Sequence, residues 1–194
     1  CYLSLILDAY SEEIVGWCVG ETLDTAYPIK ALEMALRRLS GIAKEDVRLI
    51  HHSDRGCQYA STKYVAVLKE HGIQISMTES GDPKDNAQAE RINNTMKNEL
   101  LKGMTFHDID DVTRAVASAV RFYNEERPHM SIDMKTPKEA ALCVGEIMKR
   151  WTSYREIHIK KNQNSFIIPE KGLPLQPCPG FPSGLRPSVN PGQL

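Results

Sequence analysis

The feature that most constrains this chain is a pair of acidic motifs separated by one predicted helix and one predicted strand. The first motif, His51–Gly56, follows the apolar run Val47–Ile50, and the second, Asp85–Glu90, opens a helical pattern. Their acids, Asp54 and Glu90, have 35 residues between them. That is enough chain to leave a sheet and return to it, so the spacing predicts that the two carboxylates meet at one edge of a sheet.

Two carboxylates at such an edge are suited to a hard divalent cation. Mg²⁺ takes oxygen ligands, usually one or two carboxylates with water and substrate phosphate. Carboxylates that cluster without a cation repel one another, which favours an occupied site. Two such ions can activate an attacking hydroxyl and stabilise the leaving oxygen of a phosphoryl transfer. The alternative is that Asp54 only fixes a turn and Glu90 lies on a solvated helix face.

The remaining pattern predicts an α/β domain. Residues 2–8 and 14–19 are predicted to form an antiparallel hairpin around a polar turn at Ala9–Glu13. A helix capped by Asp24 or Thr25 follows, with Arg37 and Arg38 on its solvated face. The further elements are predicted as a strand at Val47–Ile50, a helix from Ser61 that ends at Gly72, a strand at Ile73–Met77, and helices at Asp85–Lys102, Asp108–Glu126 and from Thr136.

Three segments together resemble a known family. They are His51–Tyr59, Asp85–Glu99 and Tyr123–His129. The chain resembles bacterial insertion-sequence transposases of the IS-three kind, which belong to the DDE superfamily and have a catalytic core like that of retroviral integrase. The resemblance implies a ribonuclease-H-like fold, with a mixed sheet flanked by helices, and metal-dependent DNA strand cleavage and transfer.

The resemblance also assigns roles to the two acids. Asp54 matches the second acid of the catalytic triad and Glu90 the third, and both would bind two Mg²⁺ ions, for which Mn²⁺ can substitute. The first acid would lie on a strand ahead of Tyr2, so we expect a fragment that lacks one metal ligand. Asp8 matches a different family position, near the hairpin turn. The implied partners are DNA, as element ends and target, and further copies of the chain.

Several polar residues near these acids are candidates for contact with DNA. On the predicted helix, seven residues at about 100° each bring Lys97 to within roughly 20° of Glu90. A lysine beside a metal site suits a polyanionic substrate. The DNA-binding candidates are Arg55, Gln58, Asn86, Asn94 and Lys97. Gln58 has the alternative of fixing the turn, and Arg127 and His129 are predicted to brace the core rather than contact DNA.

The adjacent histidines His51 and His52 raise a second kind of metal site. Neighbouring residues on a strand point to opposite faces and cannot easily share one ion. We therefore expect one ring to pack and the other to lie near the acids. A small-molecule metallohydrolase using His52 and Asp54 would need further ligands at regular spacing, and none is evident.

Charge and composition set the remaining bounds. Residues 1–90 carry 9 Lys and Arg against 14 Asp and Glu, whereas residues 91–194 carry 15 against 11, so a DNA-facing surface is expected in the second half. The 5 cysteines form no C-x-x-C pair, and no apolar run approaches a membrane span, which favours the bacterial cytosol and no membrane partner. The predicted domains are an integrase-type core at 1–145 without its first strand, a basic extension at 146–168 and a disordered Pro-rich tail at 169–194.

Two functional hypotheses follow from these observations. The first is DNA transposition and integration by the catalytic core of a transposase. The alternative is a catalytically incomplete DNA-binding or assembly remnant, which the missing first acid would explain.

Overall fold

The structure is a computed structural model that describes residues 1–78 and 86–150. It begins with a hairpin of β1 (Tyr2–Leu7) and β2 (Ile14–Gly20), antiparallel with Leu5 opposite Trp17. The predicted hairpin is therefore confirmed. The further elements are α1 (Ala26–Leu36), β3 (Ile50–Ser53), α2 (Thr62–Glu70), β4 (Gln74–Met77), α3 (Ala87–Thr95), α4 (Ile109–Glu125) and α5 (Pro137–Ala140), with 3₁₀ turns at Arg37–Leu39, Lys44–Asp46 and Met130–Ile132.

The second strand pair differs from its prediction at one boundary. β3 and β4 pair in parallel, with His51 opposite Ile75, and α2 crosses between them. The strand predicted at Val47–Ile50 is wrong, because pairing begins at Ile50 and extends to Ser53. Val47 instead closes a 3₁₀ turn and is buried in the core. Asp54 still follows directly after the strand, as its predicted role requires.

Two apolar clusters hold these elements together. One lies between the hairpin, α3 and α4, and the other between α1, α2 and the β3–β4 pair. The buried members of the first are Ile14, Ile92, Met96, Val116, Ala119, Val120 and Tyr123. Those of the second are Leu32, Val47, Tyr64, Leu68 and Ile73. Helices thus pack on both strand pairs, which is the layered arrangement expected of an α/β domain.

The hairpin turn is more buried than its polar sequence predicts. Ser11, Glu12 and Glu13 are 0%, 4% and 6% exposed. The Asp8 carboxylate accepts the Ser11 hydroxyl at 2.6 Å, and the Asn124 side chain both donates to the carbonyl of Ile14 and accepts from its amide, each at 3.0 Å. The end of α4 therefore covers the turn, and Asp8 has a structural role there.

One predicted surface residue is part of this arrangement. The sequence predicts Arg38 on a solvated face, but its guanidinium makes two hydrogen bonds to the Glu13 carboxylate, at 2.5 and 2.6 Å. Arg38 is exposed, as predicted, and it also pairs with Glu13, because a buried carboxylate requires a charged partner. The side chain of Arg38 remains half exposed.

The helix predicted at Asp85–Lys102 is α-helical only in its first part. α3 ends at Thr95 and continues as a π-turn over Met96–Leu100. Asp85, the predicted cap, lies outside the described residues, and Asn86 occupies the N-cap without a side-chain hydrogen bond. The predicted alignment of Lys97 with Glu90 assumes α-helical geometry throughout, whereas Lys97 lies in the π-turn.

The C-terminal predictions lie mostly outside the described residues. Residues 1–152 form one compact unit. Most of the basic extension and the whole Pro-rich tail belong to the part of the chain that is not described, so both stay predictions.

Candidate metal and DNA site

Asp54 and Glu90 line the same cavity, which has a volume of about 690 Å³. Its walls come from β1 on one side and from β3 on the other, and the first turns of α3 lie along it. Asp54 is placed there by the end of β3, and Glu90 by the first turn of α3. The two carboxylates that the sequence paired therefore line one cavity.

Neither carboxylate is neutralised by a cationic side chain of the described residues. Asp54 is exposed, and its Oδ1 accepts the Gly56 amide at 2.9 Å, which fixes the turn after β3. Glu90 is also exposed, and its side chain makes no hydrogen bond or ion pair with another described residue. Both carboxylates are thus available to a ligand in the cavity.

Several polar side chains around the two acids carry oxygen atoms that could bind a metal ion. Asn86, Gln88 and Asn93 line the cavity from α3 and its N-cap. Amide and carboxylate oxygens are ligands for hard divalent cations. Within residues 1–78 and 86–150, no group of three or more His, Cys, Asp and Glu side chains is arranged to hold a metal ion. The donor chemistry fits Mg²⁺, and the third acid that lines the cavity, Asp8, is bonded to the Ser11 hydroxyl in the hairpin turn.

The DNA-binding candidates are distributed differently from the acids. Only Asn86 among them lines the cavity. The Nε of Arg55 donates to the Thr78 carbonyl at 2.7 Å, which ties the turn after β3 to the end of β4. The backbone carbonyl of Gln58 accepts the hydroxyl of Ser61, the N-cap of α2, at 2.7 Å.

The two candidates on α3 and its continuation lie elsewhere. Asn94 accepts a hydrogen bond from Asn98, four residues on, and Lys97 is exposed within the π-turn. Asn93 rather than Asn94 faces the cavity. The sequence leaves the choice between these two neighbours open, since only the rotation of α3 decides it.

One of the two histidines packs, as predicted, although both line the cavity. His51 Nε2 lies 3.2 Å from the Tyr64 hydroxyl, and the two rings are in contact with centroids 5.5 Å apart. His52 Nδ1 lies 3.0 Å from the Ser76 hydroxyl on the neighbouring strand. Burial of the ring, and to a smaller extent the neighbouring His52, lowers the pKa of His51.

The buried histidines predict a loss of stability in mild acid. Burial lowers the pKa of His129 too, with a smaller contribution from Arg127. When the pKa of a histidine is lower in the folded than in the unfolded state, the neutral ring stabilises the folded protein. This contribution to the free energy of unfolding is complete at a pH above the usual histidine pKa, about 6.5, and is lost as the pH falls below that pKa. We expect the melting temperature to fall by roughly 3 °C or more between pH 7.5 and pH 5.

Substitution of a histidine shows whether the loss of stability in acid comes from the histidines or from the carboxylates. His51→Phe keeps a ring against Tyr64 but cannot be protonated, so the melting temperature should depend less on pH. His107→Gln changes an exposed histidine and serves as the control. An equally steep pH dependence in His51→Phe and the wild type would contradict the assignment.

Comparisons with known families agree with the geometry. Residues 1–83 match a family described as "Integrase core domain", and residues 71–137 match a second family with the same description. Together the two matches run from β1 to the start of α5. The chain belongs to the integrase core family.

The relatives of this integrase core are proteins of bacterial insertion sequences. It is 41% identical over 130 residues to a protein from insertion sequence element IS986/IS6110 of Mycobacterium tuberculosis, a match that covers 65% of the chain and 46% of the relative. It is 36% identical over 141 residues to the transposase for insertion sequence element IS629 of Shigella sonnei, with 72% and 45% covered. The chain thus spans about half the length of these relatives.

Solved structures support the fold of the integrase core. A chain of the simian T-cell lymphotropic virus intasome in complex with a PP2A regulatory subunit matches with a TM-score of 0.59 and 16% identity, covering 78% of this chain and 52% of that one. The HTLV-2 integrase catalytic core domain in complex with magnesium matches with a TM-score of 0.51 and 19% identity, covering 69% and 80%. The predicted ribonuclease-H-like fold is confirmed.

The helices of the integrase core are short or amphipathic. None within residues 1–78 and 86–150 is long and apolar enough to cross a bilayer.

Proposed function

We propose that this integrase core is the catalytic core of a transposase that cleaves DNA and transfers strands. The observation that carries the proposal is the position of Asp54 and Glu90 on one cavity, reached from different elements and without cationic partners among the described residues. Carboxylates that approach one another are electrostatically unfavourable unless a cation binds between them. The relatives from insertion sequences supply the substrate class, which is DNA.

Asp54 and Glu90 are the residues that would hold Mg²⁺ or Mn²⁺. A bound pair of ions supplies an activated hydroxyl and a stabilised leaving oxygen for phosphoryl transfer. The residues of the chain contribute the orientation of the donors. Gly56 fixes the Asp54 carboxylate through its amide, and the first turn of α3 directs Glu90 to the same cavity.

We propose that the cavity also accepts the strand that carries the first acid. The outer edge of β1 and the outer edge of β3 have no backbone hydrogen-bond partner within residues 1–78 and 86–150. Both edges line the cavity, beside several apolar side chains. A strand between them would join the two pairs into one sheet and place its own side chains next to Asp54 and Glu90.

DNA contact is proposed for five residues. Arg55 and Lys97 are exposed cations that follow the two acids in sequence, and they are suited to phosphate rather than to bases. Asn86 lies on the cavity, where it would be nearest to the scissile phosphate. Gln58 and Asn94 make contacts away from the acids. Gln58 accepts a hydrogen bond from the N-cap of α2, and Asn94 accepts one from Asn98.

Titration of the 194-residue chain with Mn²⁺ tests the metal site. We expect weak binding to the wild type, because two carboxylates supply an incomplete site. Asp54→Asn and Glu90→Gln should each reduce the affinity by about tenfold or more. Glu70→Gln, which removes an exposed carboxylate from the end of α2, is the control. Unchanged affinity in Asp54→Asn and Glu90→Gln would exclude the proposed site.

A further inference from the structure

Two side chains of α3 connect this helix to the hairpin turn between β1 and β2. The Nη2 of Arg91 donates to Glu12 Oε1 at 2.8 Å, and the Nε2 of Gln88 donates to the Ala9 carbonyl at 3.4 Å. Residues three apart lie on the same side of a helix. Glu90 is next to Arg91 on the same helix, so the contacts that fix the rotation of α3 at Arg91 also fix the direction of the Glu90 side chain.

Glu12 is an unusual residue for a hairpin turn. Its side chain is 5% exposed, and its backbone has a φ of 60°, in the left-handed region that residues other than glycine rarely adopt. Such a conformation persists only where its surroundings hold it. A buried carboxylate likewise requires partners, and Glu12 has Arg91 on one oxygen and His129 Nδ1 at 3.4 Å from the other.

The remaining contacts of α3 are mainly apolar. Its N-cap, Asn86, makes no side-chain hydrogen bond, and its other end passes into the π-turn instead of a conventional cap. The buried side chains of Ile92 and Thr95 anchor the helix to the core, and Met96 follows directly after them. These contacts hold the helix in place, and a directed, charge-assisted hydrogen bond adds a further restraint on its rotation.

We infer that Glu12 is a positioning residue for Glu90, acting through Arg91. The Glu12–Arg91 pair fixes the rotation of α3, and this rotation directs Glu90 to the cavity that it shares with Asp54. The inference rests on the proposed function only in treating Glu90 as a metal ligand. The geometric part, which is the orientation of position 90 relative to position 54, stands independently of any metal.

A distance measurement on the 194-residue chain tests the geometric part without metal. Nitroxide labels are attached to Asp54→Cys and Glu90→Cys after the 5 native cysteines are replaced by serine. The label distances should have a narrow distribution in this background and a broader one when Glu12→Gln and Arg91→Gln are added together. Replacing both partners avoids the unpaired buried charge that either single change would leave.

Two further variants complete the distance experiment. Arg91→Lys keeps the charge pair but loses the planar geometry of the guanidinium, so it should give an intermediate width and still fold. Lys138→Ala removes an exposed ion pair with Glu125 and should leave the width unchanged. A wild-type width in both the double variant and Arg91→Lys would overturn the inference.

A metal measurement separates positioning from simple stabilisation. In the otherwise native chain, Glu12→Gln/Arg91→Gln should lower the Mn²⁺ affinity by about tenfold while the protein remains folded. A role restricted to stability would lower the melting temperature and leave the affinity unchanged, which would contradict the inference. If Glu90→Gln itself does not alter Mn²⁺ binding, the proposed function fails, and the label distances alone decide the positioning role.

Discussion

Glu90→Gln should abolish DNA strand transfer by a full-length transposase that contains this core. The amide keeps the size of the side chain but loses the negative charge that a divalent cation requires. Loss of one carboxylate ligand removes several kcal/mol of transition-state stabilisation, which corresponds to about 10³-fold or more in rate. The measurement is the rate of joining of a labelled element end to target DNA.

The controls for this experiment follow from the position of Glu90. The residue is exposed on the first turn of α3 and has no bonded partner among the described residues, so Glu90→Gln should leave the melting temperature unchanged. Asp54→Asn should have an equally large effect on rate, whereas Glu70→Gln should have none. Strand transfer by Glu90→Gln at the wild-type rate would remove this residue from the catalytic site.

The largest expected effect on stability belongs to Gly16→Ala in β2. A Cβ atom at this position would lie 2.1 Å from the Ala31 carbonyl oxygen and 3.1 Å from the Ala35 nitrogen, both in the backbone of α1. Helix and strand must therefore move apart, which would disturb the packing of both around the hairpin. We expect a loss of about 3 kcal/mol in the free energy of unfolding.

Denaturant unfolding measures this loss, with Gly41→Ala as a matched control. Gly41 has a φ of 88°, and no atom lies within 4 Å of the position that a Cβ would take, so its substitution tests backbone strain without a steric clash. We expect about 1 kcal/mol there. Equal midpoints for Gly16→Ala and the wild type would contradict the close approach of α1 to β2.

The sequence predicts well those elements whose periodicity or capping signal is local. Ser61 caps α2 by accepting the Tyr64 amide, and Thr136 begins α5 with a complete capping box, both as predicted. In both caps a few neighbouring residues carry the information. The position of Asp54 and Glu90 on one cavity is also predictable, because it follows from strand and helix order.

Other features depend on contacts between distant segments and could not be predicted from the sequence. The sequence places Glu12 in a polar turn, and only the packing of Arg91 and His129 against it makes it buried. Gly16 weakens the strand propensity of its segment, whereas the structure gives it a steric role against α1. The π-turn after Thr95 has no local signal, since Met96–Leu100 suits an α-helix equally well.

The π-turn at Met96–Leu100 can absorb a change in the length of the chain. A π-turn accommodates one residue more than an α-turn, so deletion of one residue within Met96–Leu100 would restore α-helical geometry and leave the residues on either side of the turn in place. Glu90 lies upstream and keeps its orientation. A single-residue deletion at this point therefore alters where the side chains of the turn itself face, Lys97 and Glu99 among them, while the acid at the cavity is left undisturbed.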